Sequence, residues 1–255
     1  MSANVASVAV AGASGRLGGL ICDVVADHPE FDLVARLTSA SGPDAGADAE
    51  IFVDVTTPDS SPEIVERAIR RGQRVLVGTS GWSADRLAQL RTVVDEVPGS
   101  AVILVPNFSL GSVLGTALAQ LAAPYFGSVE VIEAHHQAKI DSPSGTAVRT
   151  AELIAAARAE AGTDPIAAPF AAPFAEQPAR GELVAGIPVH SLRMSGVVAQ
   201  QEVRFGGAGE TLTIRHDTLS NDSYVAGIRA ALEAVCSASG LTVGLDRMLG
   251  IGGLA

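Results

Sequence analysis

The stretch Val8-Ala-Val-Ala-Gly12-Ala-Ser-Gly15-Arg16-Leu-Gly18 decides the fold of this 255-residue chain. Its first four residues form a short apolar run typical of a buried strand, and apolar residues then recur at helical spacing over residues 17–25. The glycines between them allow a tight turn and let backbone N–H groups approach a pyrophosphate at a helix N-terminus. An ordinary glycine-rich turn is the alternative, but the strand–loop–helix context favours a dinucleotide-binding loop.

Strand and helix patterns alternate through the first part of the chain. Apolar strand patterns fall at residues 8–11, 33–37, 51–55, 75–77 and 101–105, and helical patterns at 17–25, 61–71 and 87–94. Ser61 and Pro62 are predicted as the N-cap and first-turn residue of the second helix. This alternation predicts an α/β fold in which helices cover both faces of a Rossmann-like parallel sheet.

The pattern changes after about residue 107 to one typical of an α+β domain. Helical patterns at 113–121, from 146 and at 225–235 accompany strand patterns at 129–134, 189–194, 201–205 and 211–215. Residues 163–181 are rich in alanine and proline and are predicted to form a loop. We therefore predict a dinucleotide-binding domain of residues 1–106 and 216–255, interrupted by a substrate-binding and oligomerisation domain of residues 107–215.

Composition narrows the classes of partner. The net charge of −11 disfavours nucleic acid, and an anionic substrate would need a local cluster of positive groups. No apolar run approaches the length of a membrane span, and the N-terminus lacks the basic segment of a signal peptide, so we expect a cytoplasmic protein without a membrane partner. Cys22 and Cys236 both lie in apolar helical patterns and are predicted as core residues.

The stretch Glu133-Ala-His135-His136-Gln-Ala-Lys139-Ile-Asp141-Ser-Pro-Ser144-Gly145-Thr146-Ala147 carries the chemistry. It combines a histidine able to donate a proton near neutral pH, a lysine charge and the start of a helix. Lys139 and the amides around Gly145 suit a carboxylate. Each residue alone has an ordinary structural explanation, but together they supply the positive cluster that an acidic chain needs. His135 and His136 are adjacent on a strand and point to opposite faces, so we predict no metal site.

The same stretch resembles the signature of the dihydrodipicolinate reductase family. Further blocks resemble that family in the same order, namely Val10–Gly18, Asp54–Pro58, Gly78–Gly81, Val105–Ser109, His190–Arg193 and Ile214–Asp217. These blocks span nearly the whole chain, which is far more specific than a glycine loop alone. The resemblance implies a nicotinamide-dependent reduction of an unsaturated cyclic imine with two carboxylates, in lysine and diaminopimelate synthesis.

The resemblance also implies site residues. His135 would supply a proton to the substrate, and Lys139 would support protonation and bind substrate. The implied substrate-binding residues are His136, Ser144, Gly145, Thr146 and Arg215. The implied cofactor-binding residues are Gly12, Ala13, Ser14, Gly15, Arg16, Leu17, Gly78, Thr79, Ser80, Val105, Pro106, Asn107 and Phe108. Thr38 is a further candidate from its position after the second strand. Family members are typically homotetramers built through the sheet of the second domain.

The cofactor preference stays open because the chain departs from the usual NAD pattern. Dinucleotide sites that take NAD usually place Asp or Glu after the second strand, where this chain reads Arg36-Leu37-Thr38-Ser39. Thr38, Ser39 and Arg16 could accept a 2′-phosphate, which favours NADPH or use of both cofactors. The alternative is that this loop contributes little and NADH is still accepted.

Two other functions remain as alternatives. One is a related two-domain amino-acid dehydrogenase or imine reductase, although the segment from His135 to Thr146 argues against it. The other is a nucleotide-sensing protein that has lost turnover, although His135 and Lys139 are both present.

Overall fold

The computed structural model describes residues 5–163, 178–246, 248 and 250–251, which fall into two compact units. The first unit comprises the described residues up to 109 together with those from 224 to 248, and the second comprises those from 110 to 223 together with 250–251. Most of the predicted alanine- and proline-rich loop lies outside the described residues.

The elements follow one another in an alternating order in the first unit and a mixed order in the second. They are β1 (Ala6–Ala11), α1 (Arg16–Ala26), β2 (Phe31–Leu37), β3 (Ile51–Asp54), α2 (Ser61–Arg70), β4 (Arg74–Val77), α3 (Ala84–Glu96), β5 (Ala101–Leu104), α4 (Leu110–Ala122), β6 (Ser128–His135), α5 (Gly145–Glu160), β7 (Glu182–Val184), β8 (Ile187–Arg193), β9 (Ala199–Gly207), β10 (Glu210–Thr218), α6 (Val225–Val235) and β11 (Gly240–Val243).

The first unit is a parallel six-stranded sheet in the order β11-β5-β4-β3-β1-β2. The central strands β3, β4 and β5 are short runs of almost entirely buried residues, as expected for strands covered on both faces, whereas the two edge strands β2 and β11 are partly exposed. The prediction of a Rossmann-like α/β fold is confirmed. A parallel sheet brings the carboxyl ends of its strands to one edge, and the loops that follow those strands meet there.

The C-terminal elements complete this first unit. Strand β11 pairs in parallel with β5, and Arg74 of β4 donates hydrogen bonds of 3.0 and 3.1 Å to the carbonyls of Val235 and Ala238. A side chain at Gly227 of α6 would collide with the backbone of Phe108, so α6 packs directly on the loop after β5. The last helix therefore belongs to the first unit.

The second unit is a mixed five-stranded sheet in the order β10-β9-β6-β8-β7, in which only the β6–β8 pair is parallel. Helices α4 and α5 cover one face of the sheet. The buried residues of this core are Ala119, Ala123, Val129, Val131, Ala147, Ala151, Ile154, Ile187, Val189, Val203 and Phe205. The odd-numbered residues of β6 point towards these helices, which decides the direction of the functional side chains below.

Some sequence predictions need correction. Ser61 is not the N-cap of α2, because Ser60 occupies that position and the Ser61 hydroxyl instead bonds the buried Asp54 carboxylate. Cys236 is exposed at the end of α6, whereas Cys22 is buried as predicted. Strand β10 pairs with β9 along its whole length, so the second crossing between units falls after residue 223, not at residue 216.

None of the helices within the described residues has the combination of length and apolarity that crossing a bilayer requires.

Candidate functional site

The glycine loop after β1 is held by close backbone packing. Gly12 has a φ of +88°, and a side chain there would lie 2.7 Å from the carbonyl carbon of Val55. The amides of Gly12 and Ala13 both donate to the carbonyl of Leu37 at 3.1 Å. The loop is therefore tied to the ends of both β2 and β3, and only glycine fits at its first position.

Helix α1 begins directly after this loop. Its N-cap is Gly15, which has no side chain to satisfy the amides of the first turn. A side chain at Gly18 would overlap the carbonyl oxygen of Gly12 and lie 2.7 Å from the carbonyl carbon. The helix start therefore sits tightly against the loop with its amides available to an anion, which is the arrangement that a pyrophosphate requires.

The buried Asp54 carboxylate binds the next two loops through hydrogen bonds. This carboxylate, at the end of β3, is fully buried and accepts hydrogen bonds from Thr56 Oγ1 at 2.6 Å and Thr79 Oγ1 at 2.8 Å, as well as from Ser61. It therefore joins the turn after β3 to the turn after β4. Removing such an acceptor would leave buried hydroxyls without a partner, which is costly.

The segment after β5 approaches the same edge. Phe108 is buried, and a side chain at Gly78 would lie 2.6 Å from its Cε2 atom. Asn107 Oδ1 accepts a 2.8 Å hydrogen bond from the Ser109 amide, which shapes the turn into α4. The side chains of Val105 and Thr79 are buried, so contact with a nucleotide there would come from the backbone.

The structure brings the predicted cofactor residues to one edge of the first sheet. They follow the carboxyl ends of four strands: Gly12, Ala13, Ser14, Gly15, Arg16 and Leu17 after β1, Thr38 after β2, Gly78, Thr79 and Ser80 after β4, and Val105, Pro106, Asn107 and Phe108 after β5. The glycine cradle and the uncapped start of α1 fit a dinucleotide.

In the second unit, β6 positions a buried carboxylate beside His135. Glu133 is fully buried, and its Oε2 lies 2.6 Å from His135 Nδ1. Arg193, at the end of β8, donates two hydrogen bonds of 2.9 Å to the same carboxylate. Glu133 and His135 are two residues apart on a strand and share a face, while the parallel register places Arg193 opposite His135.

The charges around Glu133 decide its protonation. Burial would raise the pKa of the Glu133 carboxyl, but hydrogen bonds from His135 and Arg193 outweigh it and hold the pKa at about 2. The group is therefore a carboxylate at any pH at which the protein would work.

The start of α5 is built against this same carboxylate. Ser144 is the N-cap, and its hydroxyl accepts from the Ala147 amide at 3.2 Å. The Ser144 amide itself donates to Glu133 Oε1 at 3.2 Å. The first turn of a sixteen-residue helix is thus fixed relative to His135, and helix starts of this kind attract carboxylates.

Lys139 lies in the turn between β6 and α5 and is the single lysine of the chain, in which the other basic side chains are arginine. Its ammonium group lies 2.7 Å from Asp141 Oδ1, and the Lys139 side chain is only 21% exposed. Burial would raise the pKa of Asp141, but hydrogen bonds from Lys139 and from the Gly145 amide lower it. The lysine and the helix start already bind one carboxylate, so they form a site with carboxylate chemistry.

Arg215 is not brought to this group. The strand register pairs Arg215 with Glu202, and Glu202 with Ile132, so its side chain lies on the sheet face opposite to that of Glu133 and His135. There it donates to Asp217 at 2.9 and 3.1 Å and lies 3.7 Å from Glu202. Within the second unit, the predicted substrate residues His136, Ser144, Gly145 and Thr146 do share the β6–α5 stretch with His135, while Arg215 lies elsewhere.

Sequence reasoning assigned no role to Glu133 or Arg193. An acid two residues before a histidine on a strand could have identified Glu133, because alternate residues share a face. Arg193 depends on the pairing of β6 with β8, which local sequence does not reveal. Among the described residues there is no group of three or more His, Cys, Asp or Glu side chains able to hold a metal ion.

Comparison with known proteins places the whole chain in one family. The N-terminal dihydrodipicolinate reductase model matches residues 6–108, and the C-terminal model of the same name matches residues 111–249. The 4-hydroxy-tetrahydrodipicolinate reductase of Clavibacter michiganensis subsp. michiganensis is 51% identical over 97% of this chain and 87% of its own length. That of Streptomyces coelicolor is 46% identical over 95% of this chain and 97% of its own.

A solved structure of a dihydrodipicolinate reductase is also similar to this chain. The dipicolinate-bound dihydrodipicolinate reductase from Paenisporosarcina sp. TG-14 is 30% identical, has a TM-score of 0.77, and covers 95% of this chain and 99% of its own. With both halves of the family model matched in order, this chain belongs to the dihydrodipicolinate reductase family.

Proposed function

We propose that the chain reduces 4-hydroxy-tetrahydrodipicolinate, or the dihydrodipicolinate derived from it, to tetrahydrodipicolinate with a nicotinamide cofactor, in lysine and diaminopimelate synthesis. The observation that carries the proposal is the grouping of His135, Lys139 and the start of α5 in one stretch of a chain that is 51% identical to a named reductase. A proton donor and a carboxylate-binding site are the parts that such a reaction needs.

Substrate binding would use the β6–α5 stretch. Lys139 and the amide of Gly145 now hold the carboxylate of Asp141, and a substrate carboxylate would share or replace that contact. Ser144, Thr146 and His136 would contribute further polar groups along the same stretch. The charge of Lys139 and the helix start would orient the ring relative to His135.

The first unit would hold the cofactor at its glycine loop. The amides at the start of α1 would bind the pyrophosphate, and the loops after β4 and β5 would line the remainder. When bound, the nicotinamide supplies a hydride to a ring carbon of the imine. His135 would supply the proton to the neighbouring carbon, whose electron pair forms the new C–H bond.

A coupled assay tests this proposal. Dihydrodipicolinate synthase would generate the unstable substrate from pyruvate and aspartate semialdehyde, and oxidation of NADH and NADPH would be followed in parallel. Rapid oxidation of either cofactor is expected. If folded protein that binds nucleotide oxidised neither, the proposal would be overturned in favour of another imine substrate or a nucleotide sensor.

We expect that arginine cannot fully replace Lys139 in the reaction. Replacing Lys139 with alanine removes the charge, so we expect KM to rise about 10- to 100-fold, as for a lost hydrogen bond to a charged group, and kcat to fall as well. Lys139→Arg should restore most of KM but not kcat, because a guanidinium does not give up a proton. Steady-state kinetics would measure both constants, with the exposed Arg91→Ala as control. Equal kcat in Lys139→Arg and the wild type would contradict a role in protonation.

We infer a preference for NADPH, or use of both cofactors, from the residues after β2. Thr38 is exposed next to the loop that binds the pyrophosphate, with Arg16 and Arg36 exposed on neighbouring elements. A carboxylate that would bind the ribose hydroxyls and repel a 2′-phosphate is missing from this position.

Thr38→Asp should therefore shift the preference towards NADH. We expect kcat/KM for NADPH to fall about 10-fold or more, since a carboxylate near a phosphate costs on the order of 1.4 kcal/mol or more in binding. The ratio of kcat/KM values for the two cofactors is the measurement, and Thr92→Asp, on the exposed face of α3, is the matched control. An unchanged ratio would show that this loop does not set the preference.

We also propose a cytoplasmic homotetramer in which the second unit supplies the assembly surface. Strand β10 is nine residues long and lies at the edge of the second sheet, and one face of that sheet is not covered by α4 and α5. Both features support this assignment.

A further inference from the structure

Glu133 is a fully buried carboxylate that receives donors from three different elements. They are His135 Nδ1 on its own strand at 2.6 Å, Arg193 on β8 at 2.9 Å, and the amide of Ser144 at the start of α5 at 3.2 Å. A buried carboxylate is costly unless its charge is paired and its oxygens are hydrogen-bonded, and both conditions are met here. Packing alone does not explain a buried carboxylate at this position, since apolar residues would fill the space at least as well.

The ionised state of Glu133 determines where the hydrogen sits on His135. A carboxylate has no hydrogen and can only accept. Because Glu133 stays ionised, the 2.6 Å contact requires the hydrogen to be on His135 Nδ1. A neutral His135 ring is therefore the Nδ1–H tautomer, and Nε2 is the nitrogen that gains and loses the exchangeable proton.

Proton delivery then has one defined route. The Nε2–H bond of the imidazolium breaks, its electron pair stays on Nε2, and the proton passes to the ring carbon adjacent to the one that receives hydride. The ring is left neutral with its hydrogen on Nδ1, still bonded to Glu133. No reorientation of His135 is needed between the two states, so the carboxylate preorganises the donor.

The same carboxylate also fixes the carboxylate-binding helix start. Glu133 Oε1 accepts from both Ser144 and Arg193, and Arg193 Nη2 donates in addition to the carbonyl of Asp141 at 2.7 Å. The proton donor and the loop that carries Lys139 into α5 are thus held to one common group. A shift in Glu133 would move both parts together.

We propose that Glu133, supported by Arg193, is a positioning residue for this reduction: it sets the tautomer of His135 so that Nε2 delivers the proton, and it fixes the start of α5 in the same frame. The proposal rests on the proposed function of His135 as proton donor. It adds the atom that carries the proton and the residue that selects it.

Nitrogen NMR of the wild type tests the tautomer directly. The chain has five histidines, so histidine-labelled protein gives few ring signals, and His135 is assigned by their loss in a His135→Asn variant. At alkaline pH, where imidazole rings are neutral, we expect a protonated Nδ1 and an unprotonated Nε2. A predominantly Nε2–H ring in the wild type would overturn the proposal without any Glu133 variant.

Glu133→Gln tests the consequence. The amide group has a donor facing His135 or Arg193, so we expect His135 to lose the pure Nδ1–H state and kcat to fall about 10- to 100-fold or more, in the range of a misplaced acid–base group. KM should change less than kcat. Glu133→Asp keeps the charge and should keep the Nδ1–H tautomer with a smaller loss of kcat, and it serves if Glu133→Gln does not fold.

The matched control lies on the same strand. Glu130 also bonds a histidine and an arginine, His190 at 2.9 Å and Arg180 at 2.6 Å, but it points to the opposite face of the sheet. Glu130→Gln should leave the His135 ring signals unchanged. A fall in kcat in folded Glu133→Gln with an unchanged His135 tautomer would indicate a purely structural role and overturn the proposal.

Failure of this proposal is distinguishable from failure of the proposed function. If His135→Asn retained turnover, the proton-donor role itself would fail, whatever the tautomer. If His135→Asn lost turnover while Glu133→Gln kept both turnover and tautomer, the positioning role alone would fail.

Discussion

Replacing His135 with asparagine is expected to lower kcat by about 10²- to 10⁴-fold, the usual contribution of a positioned general acid. The asparagine amide nitrogen can take the place of Nδ1 and keep the hydrogen bond to Glu133, so the buried carboxylate stays paired. What the substitution deletes is Nε2 alone. Substrate binding should change little because Lys139 and the start of α5 are untouched.

Steady-state kinetics with separate kcat and KM values would measure this effect, and titration with dipicolinate would check binding independently. His28→Asn is the control, because His28 precedes β2 at the sheet edge opposite to the glycine loop and should retain wild-type turnover. A loss that appeared mainly in KM would assign His135 to substrate binding and remove it from proton transfer.

The parts of the site that sequence could predict are those carried by short contiguous segments. The glycine loop can be recognised from the sequence because a strand, a tight turn and a helix start follow one another within a few residues. The stretch from His135 to Thr146 likewise holds the proposed proton donor, the lysine and the helix start together in the chain. In both cases local geometry alone places the groups near one another.

The parts that sequence could not predict depend on strand pairing. Arg193 reaches Glu133 across sixty residues because β6 and β8 are paired in parallel, and no local pattern gives that register. Arg215 was expected at the site, but a shift of one residue on a strand reverses the face, and the register puts it on the other side. Strands β7 and β11 were also missed, since neither is a fully buried apolar run like the equally short β3 and β5.

The sequence also could not show which polar groups are buried or what they bond. The sequence pattern makes Asp54 the polar end of a strand, yet it is fully buried and joins the loops after β3 and β4 through Thr56 and Thr79. Ser61 was assigned to helix capping because its position fits, but the nearby carboxylate competes successfully for its hydroxyl. Tertiary partners of this kind override local preference.

The second large effect is expected from Gly18→Ala, at the first turn of α1. The added methyl group would overlap the Gly12 carbonyl oxygen and lie 2.7 Å from its carbon and 2.9 Å from Ala13 Cα. These are backbone atoms of a loop tied to β2 and β3, so they cannot move aside as a flexible side chain would. Either the helix withdraws from the loop or the loop loses its shape, and the pyrophosphate site is distorted in both cases.

We therefore expect Gly18→Ala to lower the free energy of unfolding by about 1–3 kcal/mol, as for an overpacked core, and to weaken nucleotide binding about 10-fold or more. Denaturant unfolding and nucleotide titration would measure the two effects. The next residue provides the control: a side chain at Gly19 would meet nothing closer than the Ala13 carbonyl oxygen at 4.0 Å. Gly19→Ala should bind nucleotide normally and be equally or more stable, because alanine is the better helix former. If both variants behaved alike, close packing of the helix on the loop would not be what holds the nucleotide site.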